Sequence, residues 1–172
     1  MTTLNGLPPI ENPDARALVL GSMPGGRSLQ LGRYYAHPQN RFWAFMGVLV
    51  GAAPGLPYQA RIAALRAAGI ALWDVLAECE REGSLDSAIR AEVANDFSGF
   101  IAAHLNLRAI LFNGAKAEQS FRRHALPALG ACDIALVRLP STSPANASQR
   151  EDDKLAAWRD ALAAAGVRLT SA

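Results

Sequence analysis

Cysteine is scarce in this chain of 172 residues, which contains only Cys79 and Cys132. Two cysteines without metal-ligand spacing exclude a zinc finger and a small disulfide-rich scaffold, so we expect two reduced cysteines. The chain also lacks a Walker lysine motif, a Gly-x-Gly-x-x-Gly fingerprint and a Gly-x-Ser-x-Gly elbow. These absences argue against P-loop nucleotide hydrolysis, dinucleotide binding and the α/β-hydrolase type of serine catalysis.

Long apolar runs are also missing. No stretch approaches the length of a membrane span, and residues 1–9 carry no basic region followed by an apolar core. We therefore expect a soluble cytoplasmic protein without a membrane partner. The formal net charge of +2 is compatible with a nucleic-acid ligand but does not require one.

Short apolar runs alternate with segments of helical periodicity. Buried strands are expected near 17–21, 70–75, 109–112 and 134–137. This alternation predicts an α/β fold, a three-layer α/β/α sandwich with a central four-stranded, mostly parallel sheet. We expect one domain over 1–172 with an irregular lead-in at 1–16, and the pattern of 76–94 is too mixed to assign.

Two helix starts carry local signals. Pro38 suits the first turn of a helix expected at 38–50, with His37 just outside it. Ser148 and Glu151 have the spacing of a capping box at the start of the last helix.

Polar residues follow all four predicted strands. The Gly21 loop, Asp74, Asn113-Gly114 and the segment 141–146 each come directly after an apolar run. The carboxyl ends of parallel strands share one edge, where open α/β sheets bind ligands. We therefore expect these four stretches to form one site.

The most specific string follows the first strand. It reads Gly21-Ser22-Met23-Pro24-Gly25, then Tyr34-Tyr35-Ala36-His37-Pro38-x-Asn40-x-Phe42-Trp43. This string resembles motif I of the uracil-DNA glycosylase superfamily, in the form of its hypoxanthine-DNA glycosylase branch, family 6. Residues 141–146 resemble motif II, and the resemblance extends from residue 17 to about 160.

The resemblance implies a role for several residues. Met23 occupies the place of the usual water-activating group, so Asn40 becomes the expected catalytic residue, together with Asn113. Tyr35, Asp74 and Asn113 are implied to bind the extruded base. DNA contacts are implied for Ser22, Gly25, Ser28, Ser141, Ser143, Pro144, Ala145 and Asn146. Ala145 is small at the place where the superfamily carries a bulky wedge.

The implied activity is that of a monofunctional DNA glycosylase in base excision repair. It would hydrolyse the N-glycosidic bond of deoxyinosine in DNA, with no metal or organic cofactor. Its partner would be DNA containing a deaminated base, met at the nucleoid by a monomeric protein. The alternatives are a uracil-type glycosylase of the same fold and a catalytically silent nucleic-acid-binding module.

Ordinary structural roles stay open for the same residues. Asn40 can satisfy free backbone groups at a helix start. Asp74 can cap a helix or lie in a surface turn, and Asn113-Gly114 can simply end a strand. At least one of Tyr34 and Tyr35 is expected to be structural.

Overall fold

The computed structural model describes residues 3–144 and 149–170. Its strands are β1 (Thr3–Asn5), β2 (Ala17–Gly21), β3 (Ile70–Asp74), β4 (Leu76–Glu80), β5 (Arg90–Ala94), β6 (Ala109–Asn113) and β7 (Ala135–Leu139). Its helices are α1 (Gly26–Leu31), α2 (Phe42–Val50), α3 (Tyr58–Ala68), α4 (Phe97–Ala103), α5 (Ala115–His124), α6 (Leu126–Leu129) and α7 (Glu151–Ala165), with a short 3₁₀ turn at Asp86–Ala88.

The main sheet has four parallel strands in the order β3-β2-β6-β7. Along β2 the side chains alternate between two cores. Ala17 and Val19 pack into one and Leu18 and Leu20 into the other. Both faces must be apolar because helices cover both, which explains the continuous apolar run. The predicted α/β/α sandwich with a four-stranded parallel sheet is confirmed.

The two cores draw on different helices. The first includes buried side chains of α2, α3 and α7, and the second those of α4 and α5. Trp158 of α7 is fully buried, contacts Phe42 edge-on at a ring distance of 6.2 Å, and donates from Nε1 to the Pro140 carbonyl at 3.0 Å. This residue therefore joins α7 to α2 and to the segment that follows β7.

A second, antiparallel sheet is absent from the sequence-based prediction. It has the order β1-β4-β5, with Thr3 opposite Glu80. The expectation of an irregular lead-in at 1–16 was therefore wrong for Thr3–Asn5, whereas residues 6–16 are irregular apart from a single bridge between Ile10 and Leu72. The unassigned segment 76–94 supplies the other two strands. Residues of β4 and β5 are largely half-exposed or exposed, so neither strand gives the continuous apolar run of a buried one.

The helix starts also differ from the prediction. The second helix, α2, begins at Phe42, because residues 37–40 form a turn in which the Asn40 N–H donates to the His37 carbonyl at 3.0 Å. Pro38 lies inside this turn, which its fixed φ suits as well as a helix start. The last helix, α7, begins at Glu151, and Ser148 lies outside the described residues. Among the described residues, no helix is long and apolar enough to cross a membrane.

Trp158→Ala tests this packing. The substitution removes a fully buried indole and its hydrogen bond, so we expect the free energy of unfolding to fall by about 3–5 kcal/mol. Leu105→Ala is the control, because Leu105 is 88% exposed and should change stability by less than about 0.5 kcal/mol. Urea denaturation measures both, and equal losses in the two variants would contradict the placement of Trp158.

Candidate active site

A cavity of about 650 Å³ opens at the carboxyl ends of the parallel strands. The structure brings most of the sequence-predicted site residues to its wall, namely Ser22, Gly25, Ser28, Tyr35, Asn40, Asp74, Asn113, Ser141, Ser143 and Pro144. Ala145 and Asn146 lie outside the described residues. Residues more than a hundred positions apart meet here because each follows a strand of one parallel sheet.

Asp74 is the buried acid of this cavity. It ends β3 directly beside Gly21, the last residue of β2, and only 4% of its surface is exposed. A Cβ at position 21 would lie 2.4 Å from Asp74 Oδ1 and 3.2 Å from the Tyr35 hydroxyl, so only glycine fits there. The Oδ2 atom is buried without a hydrogen-bond partner among the described residues.

Burial, reinforced by the nearby Asp86 carboxylate and opposed by the Arg81 guanidinium, raises the pKa of the Asp74 carboxyl to about 7. The side chain is therefore divided between its acid and its carboxylate form near neutral pH. A buried carboxyl with an unsatisfied oxygen is costly for folding. Such a group in a cleft is a candidate for ligand recognition.

Tyr35 is held in an unusual backbone conformation. Its φ of 53° lies in the left-handed region, which residues other than glycine rarely adopt. Its ring stacks on Phe42 with 4.1 Å between centroids, and its hydroxyl has no hydrogen-bond partner among the described residues. Burial and the Asp74 charge raise the pKa of Tyr35, with the Asn113 side chain opposing, so the phenol stays protonated. Strained backbone of this kind clusters at ligand-binding sites, which makes Tyr35 a candidate binding residue.

Tyr34 is the structural member of the tyrosine pair. It is buried, its hydroxyl donates to the Pro8 carbonyl at 2.8 Å, and its own carbonyl accepts from Trp43 Nε1 at 2.9 Å. Its N–H donates to the Tyr58 hydroxyl at 2.9 Å. These bonds fix the loop that presents Tyr35.

Asn40 takes a structural role at the start of α2. Its Oδ1 accepts from the Phe42 N–H at 2.9 Å, which satisfies a free backbone donor. The amide also lines the cavity. An amide oxygen has two lone pairs, so the contact with Phe42 leaves one for a water molecule while fixing the side chain.

Asn113 forms a reciprocal pair with Thr142. Its Nδ2 donates to Thr142 Oγ1 and its Oδ1 accepts from the Thr142 N–H, both at 2.9 Å. Both residues are buried. The pair ties the end of β6 to the segment after β7 and leaves one amide hydrogen of Asn113 for another acceptor. The sequence predicted Asn113 as a site residue but not Thr142. The only sequence signal for Thr142 is its position between two serines in a polar segment.

The serines differ in what they can offer to phosphate. Ser22 donates its hydroxyl proton to Asp86 Oδ1 at 2.6 Å, so in this arrangement it has no proton for a phosphate. Ser28 accepts from the Ala36 N–H and Ser141 from the Ser143 N–H, both at 3.1 Å. Those two hydroxyls keep a proton to donate.

One wall of the cavity comes from the segment between β4 and β5, which sequence reasoning left unassigned. It contributes Ser84, Leu85, Asp86 and Ser87. The buried Arg81 precedes it and donates from Nη2 to the Pro24 carbonyl at 2.6 Å. No motif marks these residues, because their position depends on the second sheet.

The side chains at the wall carry amides, hydroxyls and carboxyls, together with the Arg27 guanidinium and the His37 imidazole. The described lining residues include no lysine. No group of three or more His, Cys, Asp or Glu side chains within the described ranges could hold a metal ion. The arrangement can orient a water molecule and bind a planar, hydrogen-bonding ring.

Comparison with known proteins gives consistent similarities. A family model described as the uracil DNA glycosylase superfamily matches residues 8–162. A protein of Methanosarcina barkeri named hypoxanthine DNA glycosylase is 40% identical over 112 residues, or 64% of this chain and 71% of the relative. A protein of the same name from Methanosarcina acetivorans is 35% identical over 158 residues, or 90% and 97% of the two chains.

One solved structure is similar to this chain along nearly the whole length of both. It is a solution NMR structure of a Methanosarcina acetivorans protein provisionally assigned as a uracil DNA glycosylase, and its TM-score is 0.79. Sequence identity is 32%, with 96% of this chain and 99% of the other covered. The resemblance first seen in the loop after β2 is thus confirmed along the chain, which belongs to the uracil DNA glycosylase superfamily.

Proposed function

We propose that this protein is a monofunctional DNA glycosylase that releases hypoxanthine from deoxyinosine in DNA, as a step of base excision repair. Two relatives that carry the name hypoxanthine DNA glycosylase support the choice of base. The observation that carries the proposal is the pairing of two buried polar atoms, Asp74 Oδ2 and the Tyr35 hydroxyl, for which the described part of the chain provides no hydrogen-bond partner. The protein would act as a monomer on cytoplasmic DNA.

The cavity fits an extruded purine nucleotide. The C1′ atom that water attacks is shielded in a stacked duplex, so the nucleotide must rotate out at a cost of roughly a few kcal/mol. A volume of about 650 Å³ lies within the usual range of ligand pockets. Tyr35, held against Phe42, would give the base an aromatic surface.

Hypoxanthine presents an N1–H donor beside the O6 acceptor. The ionised Asp74 carboxylate would accept from N1–H, and the remaining amide hydrogen of Asn113 or a backbone N–H would donate to O6. Adenine presents an acceptor at N1 and a donor at N6, so the carboxylate would face a lone pair. A buried site of this kind can reject the wrong analogue by as much as about 10⁴-fold. This rejection applies to the ionised form, which predominates above pH about 7, because the neutral acid can donate to adenine N1.

A residue other than Met23 must activate the attacking water. Met23 is buried among the apolar residues of the α4 and α5 core, and a thioether can neither take a proton nor orient water. Asn40 would hold the water through its second lone pair. The sugar would then pass through an oxocarbenium-like state while negative charge grows on the base. Fixed N–H donors aimed at that charge, of which Asn113 is one, lower the barrier by about 3 kcal/mol each.

Incubation with labelled oligonucleotides tests the proposed function. We expect abasic product from strands containing hypoxanthine. Product from uracil alone would identify a uracil-type enzyme instead. Binding to DNA without product from hypoxanthine, uracil or xanthine would identify a silent binding module.

Asn40→Ala should lower single-turnover cleavage by orders of magnitude while leaving DNA binding nearly intact. The same change removes the contact with Phe42 and should cost about 1 kcal/mol of stability. Asn40→Asp is the matched control, because an aspartate oxygen at position 40 can accept from the same Phe42 N–H. Cleavage by the alanine variant within a few-fold of the parent would leave Asn40 with only its structural contact to the Phe42 N–H.

Asp74→Asn should lose activity on hypoxanthine and gain some on uracil, because an amide can answer one N–H and one carbonyl together. A single-turnover comparison of the parent and the variant on both substrates measures the preference. Gly21 and Tyr35 are unchanged in the variant, so the shape of the pocket is preserved. An unaltered preference would remove Asp74 from base recognition.

A further inference from the structure

A large apolar side chain stands exposed at the rim of the cavity. Leu85 belongs to the segment between β4 and β5, lines the cavity, and has 60% of its surface exposed. Other exposed leucines, such as Leu105 at 88%, do not line it. Single exposed leucines are common on proteins, so the position of Leu85 rather than its exposure distinguishes it.

The residues on both sides of Leu85 are tied to the loop after β2. Ser84 Oγ accepts from the Gly26 N–H at 2.9 Å, and Asp86 Oδ1 accepts from Ser22 Oγ at 2.6 Å. Ile89, at the end of the segment, is buried in the core. Leu85 is therefore fixed in place relative to the residues that would surround the base.

Rotating a nucleotide out of a duplex leaves a gap in the base stack. Proteins that distort DNA fill such gaps with apolar side chains, leucine among them. In the superfamily this side chain belongs to motif II, but here that segment carries the small Ala145.

We propose that Leu85 is the wedge that enters the base stack at the position vacated by the extruded nucleotide. The proposal rests on the proposed function and adds a DNA-contacting residue outside motifs I and II. The side chain keeps the duplex from closing again and so favours the extruded state. Single-stranded DNA has no opposing stack, so a wedge gives no advantage there.

Leu85→Ala tests this assignment on one hypoxanthine oligonucleotide, used as a single strand and paired with thymine. We expect single-turnover release from the duplex to fall about tenfold or more, with release from the single strand within about threefold of the parent. Leu105→Ala is the matched control and should leave both substrates unchanged. Leu85→Met should retain most of the duplex activity, because methionine also serves as a wedge.

Extrusion can be followed without chemistry by a 2-aminopurine placed beside the lesion. Its fluorescence should rise when the parent binds the duplex and rise less with Leu85→Ala. The assignment would be overturned if Leu85→Ala lost hypoxanthine release equally from the single strand and the duplex. It would also be overturned if the variant kept full activity on the duplex. Absence of hypoxanthine release by the parent from either form would refute the proposed function, and the fluorescence signal would then decide on Leu85 separately.

Discussion

Gly21 and Asp74 lie side by side at the carboxyl ends of β2 and β3, and the site depends on this contact. Because glycine has no Cβ, the carboxyl of Asp74 and the hydroxyl of Tyr35 can both lie against β2. Burial opposes ionisation of that carboxyl, and one of its oxygens has no hydrogen-bond partner within residues 3–144 and 149–170. The buried carboxyl lowers the stability of the free protein, and a hydrogen bond from a base with a suitable donor would offset this loss on binding.

Hydrogen bonds between loops shape the cavity around that carboxyl. Asn113 and Thr142 join the end of β6 to the segment after β7, and Arg41 N–H donates to the Thr142 carbonyl at 3.0 Å. The Ser22 contact with Asp86 joins the loop after β2 to the second sheet. Residues that line the wall thus also position one another, so little reorganisation is required when a ligand binds.

The main sheet could be predicted from sequence because buried parallel strands give continuous apolar runs, and the polar residues after them must share an edge. The second sheet could not. Its β1 pairs with a strand distant in sequence, and β4 and β5 are too polar to stand out. The wall at 84–87 was missed for the same reason. Side-chain bonds such as those of Asn40 and Ser22 depend on tertiary geometry, so residue type alone left their roles open.

In the proposed recognition, ionised Asp74 accepts a hydrogen bond from the base. Its pKa of about 7 implies that the carboxylate is scarce below that pH and predominates above it. The most direct test is the pH dependence of single-turnover hypoxanthine release by the parent and by Asp74→Asn. We expect the parent rate to rise through pH about 7 and this step to be absent from the residual rate of the variant. A parent rate that falls as pH rises through this range, or the same step in both proteins, would contradict it.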